Sequence, residues 1–184
     1  MKNKGNAVFK TLGVLVASAF LAAISIVCGK YLAVPGGEVM RFSFENMPII
    51  MAGMAFGPLV GAIVGAVADI IGCILVGYTI NPLVTLGACT VGLVGGLTYF
   101  LLGRVAGCPY IVRISASVAL AHVTGSVIIK TIGLAAYYAI PFHVLLLWRI
   151  LNYLIVGAIE GVILYHLMKN RMIIGQINSI LRKK

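Results

Sequence analysis

Residues 46–103 read NMPIIMAGMAFGPLVGAIVGAVADIIGCILVGYTINPLVTLGACTVGLVGGLTYFLLG, and this stretch decides the fold. Its 58 residues hold a single charged side chain, Asp69. A transmembrane helix needs roughly 20 mainly apolar residues, so the stretch can cross a bilayer roughly two or three times. A carboxylate within it is costly in hydrocarbon and must face protein or water.

The rest of the chain agrees. Of 184 residues, 61% are hydrophobic and 10% charged, with mean hydropathy +1.11; a soluble domain carries roughly 25% charge. The net charge of +10 suggests nucleic acid until its distribution is read. Ten positives gather in three places: Lys2, Lys4 and Lys10; Arg104 and Arg113; and Lys169, Arg171, Arg182, Lys183 and Lys184. Such clustering at alternate ends of apolar segments is the positive-inside pattern. It places both termini and the 104–113 segment in the cytoplasm, which requires an even number of spans. Aromatic residues are not interleaved with these cations, so a nucleic-acid surface is not expected. Cys28, Cys73, Cys89 and Cys108 form no CxxC, and neither a metal site nor a disulfide framework is expected.

The expected architecture is an all-α polytopic membrane protein with six transmembrane helices in a single domain, residues 1–184. Helices are expected at about 8–32, 46–56, 59–77, 81–103, 110–139 and 143–169, with a basic tail over 170–184 suited to the membrane surface. Gly57-Pro58 separates the second helix from the third, although a single kinked helix is the alternative. Small residues recur at four-residue spacing from Gly53 through Gly57, Gly61 and Gly65, and again at Gly92 and Gly96. Such faces let membrane helices pack backbone to backbone.

The intramembrane polar residues leave two readings open. Arg149, Asn152 or Tyr153, and Glu160 share one face of the sixth helix, because eleven residues make about three turns. In the first reading, Asp69 or Glu160 pairs with Lys130 or Arg149 and fixes the bundle. In the second, Lys130, Arg149 and Arg41 line an outward pocket for an anionic solute, since these cations outnumber Asp69 and Glu160. Tyr78, Tyr137 and Tyr138 lie at the same outer level, suited to stacking on a flat ring or to an interfacial belt. His122, His143 and His166 receive no role. No Walker A, HExxH or GxSxG motif occurs, so an energy source must come from a partner or an ion.

Arg41-Phe-Ser-Phe-Glu-Asn-Met-Pro48, Ala52-Gly-Met-Ala-Phe-Gly-Pro-Leu-Val-Gly61 and Gly65-Ala-Val-Ala-Asp69-Ile-Ile-Gly72 together resemble the substrate-binding S components of energy-coupling factor (ECF) vitamin transporters, most closely the folate group. Lys130-Thr-Ile-Gly-Leu134 and the segment from Arg149 to Glu160 fit the same pattern, so the resemblance spans nearly the whole chain. It implies six helices with cytoplasmic termini in a prokaryotic cytoplasmic membrane. It also implies capture of a vitamin from outside and docking on a transmembrane coupling protein driven by two ATPase subunits. The chain itself would need no cofactor, ATP being used by the partners. By the same resemblance Ala19 and Ala23 form the docking face. Arg41 stands where the family has an arginine that contacts or gates the ligand. Phe44, Asn46, Asp69, Tyr78, Lys130, Tyr137, Arg149 and Tyr153 complete the candidate ligand site. Folate-group members often carry Asn before the Thr where this chain has Lys130, and a lysine there suits a glutamate tail. The single Trp148 departs from the tryptophan-rich pocket of thiamine-type members. The alternatives are an S component for pantothenate or another anionic vitamin, and a stand-alone ion-coupled carrier using Asp69 and Glu160. A membrane enzyme would need a clustered acid–base or nucleophile constellation, and the sequence contains none.

Overall fold

The computed structural model describes residues 12–35 and 41–182; the side chains of Pro35, Arg41 and Arg182 also lie outside what it describes. The described residues are almost all helical. Five helices are long and apolar enough to cross a membrane: α1 (Leu12–Tyr31), α3 (Pro58–Val76), α4 (Pro82–Leu102), α5 (Tyr110–Tyr138) and α6 (Phe142–Lys169). Between α1 and α3 lies α2 (Asn46–Phe56), whose 11 residues extend about 16 Å at 1.5 Å per residue, well short of a hydrocarbon core of roughly 30 Å. A two-residue antiparallel pairing, β1 (Val34–Pro35) with β2 (Arg41–Phe42), precedes α2.

The break between α2 and α3 falls at Gly57, whose φ of 114° suits glycine and no L side chain. Pro58 then starts α3, where its missing N–H is harmless. Asn81 starts α4: its side-chain oxygen accepts from the Leu83 N–H, and its amide donates to the Gly133 carbonyl at 2.9 Å, tying α4 to α5.

The glycine ladder is the seam of the bundle. A methyl group on Gly61 would lie 2.6 Å from the Gly92 carbonyl oxygen, and one on Gly65 would collide with the Ala88 carbonyl. The backbones of α3 and α4 therefore touch directly, as the small-residue spacing predicts. Beneath this seam Ile49, Ile50, Ala52, Met54, Val60, Val64 and Val91 make the buried apolar core. Many large apolar side chains point outward, including Leu15, Phe20, Leu59, Ile74, Leu154 and Val162. On a soluble protein this would be an aggregation surface; on a membrane protein it is the lipid-facing belt.

The basic tail is more structured than the sequence reading anticipates. Residues Arg171–Arg182 form a seventh helix, α7. Ile177 and Ile180 pack on the core, and Ile180 lies over Gly13 at the start of α1. Lys2, Lys4, Lys10, Lys183 and Lys184 fall outside the described residues.

Candidate functional site

The polar residues converge at the end of the bundle where α1 and α5 finish and α2 begins. Lys130 follows a π-helical stretch of α5, His122–Ile129, a wide turn of the kind often found at functional sites. Its stem crosses Gly87 of α4, where a methyl group would lie 2.5 Å from Lys130 Cγ. Glycine at 87 therefore opens the path that carries the ammonium inward.

Lys130 Nζ donates to Glu45 Oε1 at 2.7 Å and lies 3.4 Å from Asn46 Oδ1. The lysine side chain is 5% exposed and the glutamate 27%. Asn46, fully buried, donates its amide to Ser126 Oγ at 3.2 Å. Arg149 of α6 donates Nε and Nη2 to the Ser126 carbonyl at 2.9 and 2.7 Å, and Nη2 also reaches the Tyr153 hydroxyl. A continuous polar network thus runs Glu45–Lys130–Asn46–Ser126–Arg149–Tyr153. Lys30 and Asp69 flank it: Asp69 accepts from Thr85 Oγ1 at 2.6 Å, and Lys30 sits 5.6 Å from the Tyr78 ring. Ser25 anchors the chain at Glu45 by donating to its carbonyl at 2.7 Å.

Burial works to raise the Glu45 pKa. The Lys130 charge and hydrogen bond, with Lys30 and Arg149 behind them, outweigh it and bring the carboxyl down to about 2. The pocket lined by Ser25, Lys30, Glu45, Asp69, Ala88 and Lys130 leaves about 10 Å³ free, room for about one water. The free space beside Lys130 is thus largely filled by the node's own side chains.

Of the residues singled out from sequence, the structure brings together Asn46, Asp69, Lys130, Arg149 and Tyr153, with Tyr78 beside Lys30. Tyr137 is exposed and its ring rests on Tyr138; Phe44 is half-buried on the approach to α2. Arg41 lies in β2, and its side chain is outside the described residues. Ala19 and Ala23 are exposed on α1, each one residue on from the buried Ser18 and Ala22.

The bundle-fixing pairs anticipated from sequence are not the ones formed. Lys130 pairs with Glu45, and Glu160 pairs with His122 at 2.7 Å, a histidine to which the sequence reading gave no role. Both members of the second pair are buried, and the His122 ring stacks on Tyr153 with centroids 4.9 Å apart. Glu45, Lys30 and Ser126 are site residues that the sequence alone does not single out. Glu45 lies just outside the uncharged run that begins at Asn46, where a charge is ordinary, and Lys30 ends a helix where a snorkelling cation is ordinary.

A multi-pass helical bundle in which Lys30, Glu45, Asp69, Lys130 and Arg149 gather at one end of the apolar helices is the architecture of a membrane solute-handling protein. The chain belongs to the family of ECF transporter substrate-specific components, whose pattern it matches over residues 13–170. It is 26% identical over 163 residues to the folate transporter FolT of Clostridium novyi (strain NT), covering 85% of this chain and 88% of that protein. Its fold is similar to the crystal structure of FolT bound with folic acid, with a TM-score of 0.68, 24% identity, and coverage of 85% of this chain and 92% of that one.

Proposed function

We propose that this chain is the folate-binding S component of an ECF importer in a prokaryotic cytoplasmic membrane. The observation that carries the reading is the convergence of Lys130, Lys30 and Arg149 on one buried polar node in a chain of this family. Folate presents carboxylates and a flat pterin ring. Lys130 or Arg149 would meet the carboxylates, with Tyr78, Tyr153 or Phe44 beside the ring, and Arg41 closing the site from the first outer loop. The FolT relative and the folic acid complex support the choice of vitamin. The node faces outward, both termini are cytoplasmic, and α2 counts as the sixth, short span; the clustered cations support this orientation.

The chain binds and delivers but does not power uptake. The exposed Ala19–Ala23 face docks on a transmembrane coupling protein, and two ATPase subunits use the ATP. It needs no cofactor of its own. Titrating folate into detergent-solubilised protein while following Trp148 fluorescence tests the vitamin; Trp148 is half exposed and adjacent to Arg149. Saturable quenching by folate and not by thiamine is expected. Binding of pantothenate in its place would transfer the site to another anionic vitamin. In proteoliposomes the chain alone should bind and not transport, whereas an ion-coupled carrier would transport unaided.

A further inference from the structure

Glu45 is the carboxylate that meets the buried Lys130 ammonium. Its Oε1 is 2.7 Å from Lys130 Nζ, and it lines the same closed space as Lys30 and Asp69. With about 10 Å³ free, no vitamin reaches Lys130 unless a side chain leaves. The two partners are unequal. Lys130 is held on a helix, threaded over Gly87 and 5% exposed, while Glu45 precedes α2 and is 27% exposed. Glu45 is therefore the member that can turn to water. Gly29 shapes the space it occupies, since a methyl group there would lie 2.6 Å from Glu45 Oε2. An unpaired buried ammonium is strongly unfavourable, so Lys130 needs an anion at all times. Exchanging one carboxylate for another keeps the charge balanced through the exchange.

We propose that Glu45 is a built-in counter-anion that fills the ligand-carboxylate subsite at Lys130 and is displaced by the carboxylate of the incoming ligand. The proposal rests on the node being the ligand site and makes Glu45 a determinant of affinity and of selectivity for acidic ligands. A ligand without a carboxylate would leave Lys130 unpaired after pushing Glu45 aside, and would be rejected.

Two arms test it. In the first, the thermal stability of detergent-solubilised wild type, Glu45→Ala and Glu45→Ala/Lys130→Met is measured with added acetate or formate, against chloride at equal ionic strength. Glu45→Ala should lose stability and regain it with acetate or formate alone; wild type and the double variant should not respond. In the second, folate affinity is compared in wild type, Glu45→Gln, Lys130→Met and the double variant. If Glu45 holds the subsite about nine-tenths of the time, its removal should tighten folate binding about ten-fold. That gain should vanish without Lys130. Absence of carboxylate rescue, or a gain that survives Lys130→Met, would overturn the proposal. So would weaker folate binding in Glu45→Gln, because Glu45 would then be reading donors on the ligand. Rescue by acetate in a protein that binds no folate would uphold the counter-anion and remove the folate reading alone.

Discussion

The α3–α4 seam and the Lys130 node lie in one bundle and are built on opposite rules. At the seam, Gly61, Gly65 and Gly92 remove side chains until carbonyls meet Cα atoms, and nothing there can move independently. At the node, long charged side chains meet around a space of about 10 Å³ and are held by hydrogen bonds and opposite charge. Dispersion between rigid backbones sets the first, and charge neutrality sets the second. The comparison teaches where a membrane bundle can afford change: contacts made by backbone tolerate no added atom, while contacts made by charge tolerate any partner of the right sign.

The largest expected effect tests the rigid side. Gly65→Val drives a branched side chain into the Ala88 carbonyl and should cost about 3 kcal/mol or more, as severe overpacking does. Loss of a monodisperse peak on fluorescence-detected size exclusion is the expected result; a normal peak would mean that the seam can open. A third surface sharpens the contrast, because it belongs to neither region. Ala19→Arg/Ala23→Arg places charge on the exposed face of α1 and should abolish folate uptake by the assembled transporter with folate binding by the isolated chain unchanged. Impaired binding would show that α1 communicates with the node.

Next in size is the exchangeable side. Lys130→Met should weaken folate binding about thirty-fold or more, the loss of about 2 kcal/mol expected when one partner of a buried charged hydrogen bond is truncated. The fold should survive, since Glu45 is exposed enough to hydrate; calorimetric titration alongside a melting curve separates the two effects.

The smallest effect is pH dependence. Glu45 is depressed from the usual 4.5 to about 2, so its ion pair contributes stability that is fully present above about 4.5 and is lost as the pH falls towards about 2. The melting temperature of wild type minus that of Glu45→Gln should be constant from pH 7 to 5 and shrink below 4.5. A difference that stays flat down to pH 3 would show that the pair adds nothing to stability.

Much of the fold was legible because membranes simplify sequence. In hydrocarbon every backbone polar group must be satisfied within its own segment, so long uncharged stretches read directly as helices. Small-residue spacing then announced the seam, and Gly57-Pro58 marks the same break in sequence and structure. The node was half legible. Asn46, Asp69, Lys130 and Arg149 stand out as polar residues among apolar ones, but their partners do not. Nothing in the chain order links Glu45 to Lys130, 85 residues away, or His122 to Glu160, 38 residues away.

By itself the sequence determined that this is a helical membrane protein, which segments form its apolar helices, which helix faces approach closely, and which residues must avoid lipid. Those properties depend on local composition and on the free energy of placing each side chain in hydrocarbon. Only the tertiary structure decided which carboxylate meets which cation, that α7 folds back onto α1, and that Glu45 fills the space beside Lys130. Pairing depends on the distance between side chains carried by different helices, and helix packing alone sets that distance.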